Sequence, residues 1–69
     1  MKLTKNQEII YDMIMSDEFA YASFQNFRLN TAINRAITVS GKRGCLTKLH
    51  NKEFRNLKKY LTRELQNEK

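Results

Sequence analysis

Apolar residues recur along the chain at the three- and four-residue spacing of helix stripes. The first stripe is Ile9, Ile10, Met13 and Ile14, preceded by Thr4 with Gln7 three positions on. A threonine hydroxyl at that place accepts a free N–H of the first turn, while the glutamine side chain reaches back to the cap's own N–H. This spacing predicts a helix over 5–15, with Lys5, Glu8 and Asp12 toward water.

Ser16-Asp17-Glu18 reads as a break. Beyond it, Phe19, Tyr21, Phe24 and Phe27 fit a short strand, a helical turn or a packed loop. In a small protein such rings are core residues first. A stacking platform for unpaired bases is the competing use, but it needs basic neighbours, and only Arg28 accompanies the rings.

Asn30 or Thr31 can cap a second helix carried by Ala32, Ile33, Ala36 and Ile37, whose alanines let a neighbouring helix come close. Val39-Ser40-Gly41 reads as a tight corner, with Ser40 as the cap of a third helix over 42–50. Cys45, Leu46 and Leu49 would face the core there, leaving Lys42, Arg43, Thr47, Lys48 and His50 outward. Asn51 then caps a last helix on Phe54, Leu57, Leu61 and Leu65, with Arg55, Lys58, Lys59 and Arg63 on its other faces. With no proline and only two glycines, the chain lacks the turn punctuation of a sheet-rich fold. A mainly α domain of three to four helices spanning residues 1–69 is expected.

Charge changes the picture. Residues 1–39 balance Lys2, Lys5, Arg28 and Arg35 against Glu8, Asp12, Asp17 and Glu18, so the whole net charge of +6 falls in residues 40–69. Folding does not require such an asymmetry, and self-repulsion opposes it, which makes a polyanion the first partner to consider. A solvated, solubility-giving surface is the plainer account of a lysine-rich helix, and the segregation of the two signs argues against it.

A helix-turn-helix suits the second helix, the corner and the third helix. Lys42 and Arg43 at the start of the third helix would contact guanine edges, and Thr47 a thymine methyl or a phosphate. Lys48, Lys52, Arg55, Lys58 and Lys59 would hold phosphates. In the strict helix-turn-helix spacing Ala36 takes the small-residue place, and Val39, Leu46 and Leu49 take apolar places. Arg35 stands at a core position, however, and Ser40 at that of the turn glycine.

Three segments, L-T-K-N-Q-E-I-I at 3–10, S-D-E-F at 16–19 and R-G-C-L-T-K-L-H-N-K at 43–52, resemble in order and approximate spacing the small winged-helix DNA-binding proteins of phages and bacteria. The resemblance spans about half of the chain. It implies a three-helix core whose recognition helix carries Lys42, Arg43, Thr47 and Lys48. The family's two-stranded wing is expected to be short or absent, because the sequence after Phe54 keeps a helical period.

Two other readings stand beside it. Gly41-Lys42-Arg43-Gly44 matches the loop by which KH domains clamp single-stranded RNA, although no strand for the KH sheet is evident. Alternatively, the basic chain docks on the acidic surface of a host protein, or the last helix lays Phe54, Leu57, Leu61 and Leu65 into a partner groove or against a second copy, and a homodimer would double the recognition helices. An enzyme is not expected, for there is no phosphate loop, paired carboxylates or nucleophile with a base. His50 is expected to be a polar helix end and Cys45 a core residue. Nothing has the spacing of a metal site, and no cofactor is called for. A single cysteine and the lack of an apolar span or signal core fit the cytoplasm and no membrane contact.

Overall fold

The computed structural model describes residues 2–42 and 48–67, the side chain of Lys42 excepted. Among these residues four helices follow in order, α1 (Lys5–Ser16), α2 (Glu18–Gln25), α3 (Leu29–Lys42) and α4 (Asn51–Asn67). No strand occurs among the described residues. None of the described helices is long and apolar enough to cross a membrane.

The first helix begins as its sequence predicts. The Thr4 hydroxyl accepts the Gln7 N–H at 3.2 Å, and the Gln7 side-chain oxygen accepts the Thr4 N–H at 2.8 Å. Asp17 then both ends α1 and starts α2. Its N–H donates to the Met13 carbonyl, and its carboxylate accepts the Ala20 N–H at 3.0 Å.

The aromatic stretch resolves into a helix whose buried face is Ala20, Ser23 and Phe24. Small residues let α2 lie close to α3, so the rings divide. Phe24 is fully buried and Tyr21 partly so, whereas Phe19 (62%) and Phe27 (51%) are exposed. The expectation that all these rings form core is therefore corrected for two of them.

A larger correction concerns the corner expected at Val39-Ser40-Gly41. Helix α3 runs straight through it to Lys42. Ser40 sits inside that helix, 2% exposed, and its hydroxyl finds no hydrogen-bond partner among the described residues. Residues 48–50 are not helical, so the third helix expected over 42–50 does not extend to His50; residues 43–47 lie outside the described residues. Instead the His50 carbonyl accepts the Phe54 N–H at 2.9 Å, which puts His50 just before α4 and makes Asn51 its first residue rather than its cap.

One core joins all four helices. It contains Ile10 and Ile14 of α1, Ala20 and Phe24 of α2, Leu29, Ala32, Ile33 and Ala36 of α3, and Leu57, Leu61 and Leu65 of α4. Phe54 and Leu49 pack at its edge. The leucine stripe considered as a docking or dimer surface is thus core, and the dimer or partner groove read from it is withdrawn. Of the KH loop expected over Gly41-Lys42-Arg43-Gly44, Gly41 and Lys42 are helical instead, Arg43 and Gly44 lie outside the described residues, and none of the described residues forms a strand of a KH sheet.

Candidate nucleic-acid interface

Helix α4 presents three distinct stripes. Leu57, Leu61 and Leu65 face the core. On the flank toward α1, both described carboxylates of the helix are engaged. Glu53 accepts the Thr4 hydroxyl at 2.7 Å, its backbone carbonyl accepts the Gln7 side-chain amide at 3.0 Å, and a longer contact of 3.5 Å comes from the His50 N–H. Glu64 accepts the Tyr11 hydroxyl at 2.8 Å. Tyr60 meets Tyr11 edge-on, with ring centres 5.8 Å apart, and hydrogen bonding to Glu64, aided by desolvation and the carboxylate's charge, raises its phenol above the ordinary value.

The third stripe is cationic. Arg55, Lys58, Lys59 and Arg63, with Thr62 and Gln66 between them, line an open groove of about 480 Å³. Helical spacing makes these cations mutual neighbours: Lys58 and Lys59 stand three and four residues after Arg55, and Arg63 four after Lys59. Like charges so placed each cost an isolated helix roughly 0.2–0.5 kcal/mol. Among the described residues none of the four is ion-paired; the described ion pair is Arg35 with Asp17, at 3.6 Å. That Asp17 carboxyl is held below its usual value first by the Ala20 N–H and then, against some desolvation, by the Arg35 charge.

Lys58 has a second neighbourhood. Together with Phe27, Arg28, Leu29, Asn30 and Thr31 it lines a depression of about 200 Å³ where α3 begins. The cationic stripe of α4 therefore continues onto Arg28, an exposed cation with no ion pair among the described residues.

Of the phosphate contacts expected from sequence, Arg55, Lys58 and Lys59 come together in the groove. Lys48, ahead of α4, and Lys52, in its first turn, are exposed but do not line it. Of the expected base contacts, Arg43 and Thr47 lie outside the described residues, as do Cys45, Leu46 and the side chain of Lys42. Arg63 and Arg28 are the members that sequence reasoning left off its contact residues. Arg63 was recoverable from its spacing to Lys59 and Arg55, whereas Arg28 joins only through the tertiary fold. Among the described residues no group of histidine, cysteine, aspartate and glutamate is placed to hold a metal ion. Comparison of the chain with family models, with curated proteins and with solved structures gave no match.

Proposed function

We propose that the protein binds duplex DNA through the cationic stripe of α4, as a small transcriptional regulator of helix-turn-helix type. The observation that carries this is the sorting of charge on α4. Both described carboxylates of the helix are turned to α1, while four cations stand as unpaired neighbours in one exposed groove. A stripe shaped for stability alone would interleave the two signs at a spacing of four. A row of like charges with no acid beside it lowers its own free energy only when an anion lies along it, and a phosphate backbone supplies one charge after another at close spacing.

Arg55, Lys58, Lys59 and Arg63 hold phosphates in this proposal, with Lys48 and Lys52 extending the row toward the start of α4. Lys42, Arg43 and Thr47 stay in it as candidates for base contact. The winged-helix resemblance contributes its three-helix core, with α4 following in the chain where a wing would be expected.

The test is a titration of a labelled random-sequence DNA duplex by fluorescence anisotropy at several salt concentrations. With four to six phosphates neutralised, log K should fall against log salt with a slope of about −4 to −5. A flat salt dependence, or tighter binding to single-stranded RNA of equal length, would exclude duplex DNA as the ligand. Failure to bind any nucleic acid at low salt would leave the same groove to an acidic protein.

A further inference from the structure

We infer that α3 is the helix that reads base edges, through Asn30, Thr31 and Asn34, and that the helix-turn-helix unit is α2 with α3 rather than α3 with the segment after it. This inference rests on duplex DNA being the ligand of the α4 stripe, and it assigns the sequence-reading half of that same surface.

The first ground is the corner. Eight residues of α2 and fourteen of α3 are joined by Asn26, Phe27 and Arg28, the length of turn that such units use. Its geometry is fixed by backbone hydrogen bonds. The Arg28 N–H donates to the Ser23 carbonyl at 2.8 Å and the Phe27 N–H to the Phe24 carbonyl at 3.0 Å, with Phe27 left-handed at φ 60°. That pattern ends a helix and sets the direction of the chain leaving it, so α3 is held at a defined angle to α2. The buried small side chains of Ala20 and Ser23 on α2, and of Ala32 and Ala36 on α3, allow the two helices to pack closely.

The second ground is the outward row of α3. Asn30, Thr31, Asn34 and Thr38 are all exposed, and the helix contains no acidic residue. Asparagine and threonine are weaker helix formers at exposed positions than alanine, lysine or glutamine. Nothing in the packing compels them. Thr38 spends its hydroxyl on the Asn34 carbonyl, but the side-chain amides of Asn30 and Asn34 make no hydrogen bond among the described residues. Each of these two amides, one helical turn apart, offers the pair that matches adenine, its oxygen accepting from N6–H and its NH2 donating to N7, and Thr31 beside them suits a thymine methyl.

The third ground is charge. On one border of the row, Arg28 and Lys58 share a depression with Asn30 and Thr31, so a duplex lying along α3 meets the α4 cations with its backbone. On the other border Arg35 is held by Asp17, beside Glu18. The phosphates are thereby confined to the α4 side, which gives the duplex one orientation.

The full chain would be used to select from a DNA duplex pool with a randomised core, and the enriched duplex and the unselected pool would then be titrated in parallel. Wild type should enrich a sequence, and Asn30→Ala and Asn34→Ala should each lower the ratio of the two affinities about tenfold. Lys59→Ala should weaken both affinities and leave their ratio in place. Because alanine favours an exposed helix position, the asparagine variants should melt no lower than wild type, which separates lost reading from lost folding. Enrichment with an undiminished ratio in both asparagine variants would overturn the inference and keep DNA binding, moving base contact to residues such as Arg43. Salt-dependent binding with no enrichment would overturn it also. Absence of duplex binding at low salt would remove the DNA proposal and this inference together.

Discussion

The two flanks of α4 handle charge in opposite ways. Toward α1, Glu53 and Glu64 receive hydroxyl donors from Thr4 and Tyr11 and sit against packed helix. Away from it, Arg55, Lys58, Lys59 and Arg63 repel one another in open solvent. The same seventeen residues thus hold one flank organised for holding the fold and one that works against it, and a surface that works against the fold points to a use outside it.

The comparison breaks first in the core. Leu61→Ala, at a fully buried position between the flanks, should cost about 3 kcal/mol and lower the melting temperature sharply, a large part of the stability of so short a domain. A folded variant of unchanged Tm would mean that the leucine stripe serves an interface after all. Next, Gln7→Ala removes half of the α1 cap and the bond to the Glu53 carbonyl, and denaturant titration should register a loss of about 2 kcal/mol.

The sharpest contrast comes from Lys59→Glu. It places a carboxylate four residues from both Arg55 and Arg63, so the fold should gain about 0.5 kcal/mol while affinity for duplex DNA falls and its salt slope becomes shallower. A variant both less stable and equally tight in binding would contradict the division of α4 into two flanks. The smallest effect belongs to Asp17, whose folded carboxyl lies below its usual value. Its contribution is present above the unfolded pKa near 3.8 and is lost as pH falls through the folded value. Asp17→Asn keeps a capping side chain but not the charge. Melts of variant and wild type should therefore differ slightly at neutral pH and converge in acid.

Much of the fold was legible where the determinants are local. Thr4 with Gln7, the break at Asp17 and the stripe from Leu57 to Leu65 each sit within one or two turns of what they specify. Ser40 and Gly41 misled because both punctuate helices, yet α3 continues through them, its buried face already set by Ala32, Ile33 and Ala36. Among the described residues nothing comes within 4 Å of where a Gly41 Cβ would be, so none of them calls for glycine there. The aromatic stretch misled differently. Its largest residues were read as core, whereas the close crossing of α2 and α3 buries Ala20 and Ser23 and turns Phe19 outward under the Arg35 guanidinium, 5.4 Å from the ring centre.

Of the candidate site, the α4 cations were legible as a charge run with a helical period. The destination of Glu53 and Glu64 was not, since their partners Thr4 and Tyr11 lie 49 and 53 residues away in the chain. Nor was Arg28, which lines one depression with Lys58 only because α3 and α4 pack together.

The bonds between Glu53 and the start of α1 also bear on how the chain acquires its structure. The hydroxyl that caps the first helix and the amide that completes the cap both find their second partners on the fourth. The local cap alone can start the opening helix, and the two further bonds form only when α4 docks. Docking of α4 should accordingly add to the protection of the first turn of α1 against amide exchange rather than create that turn.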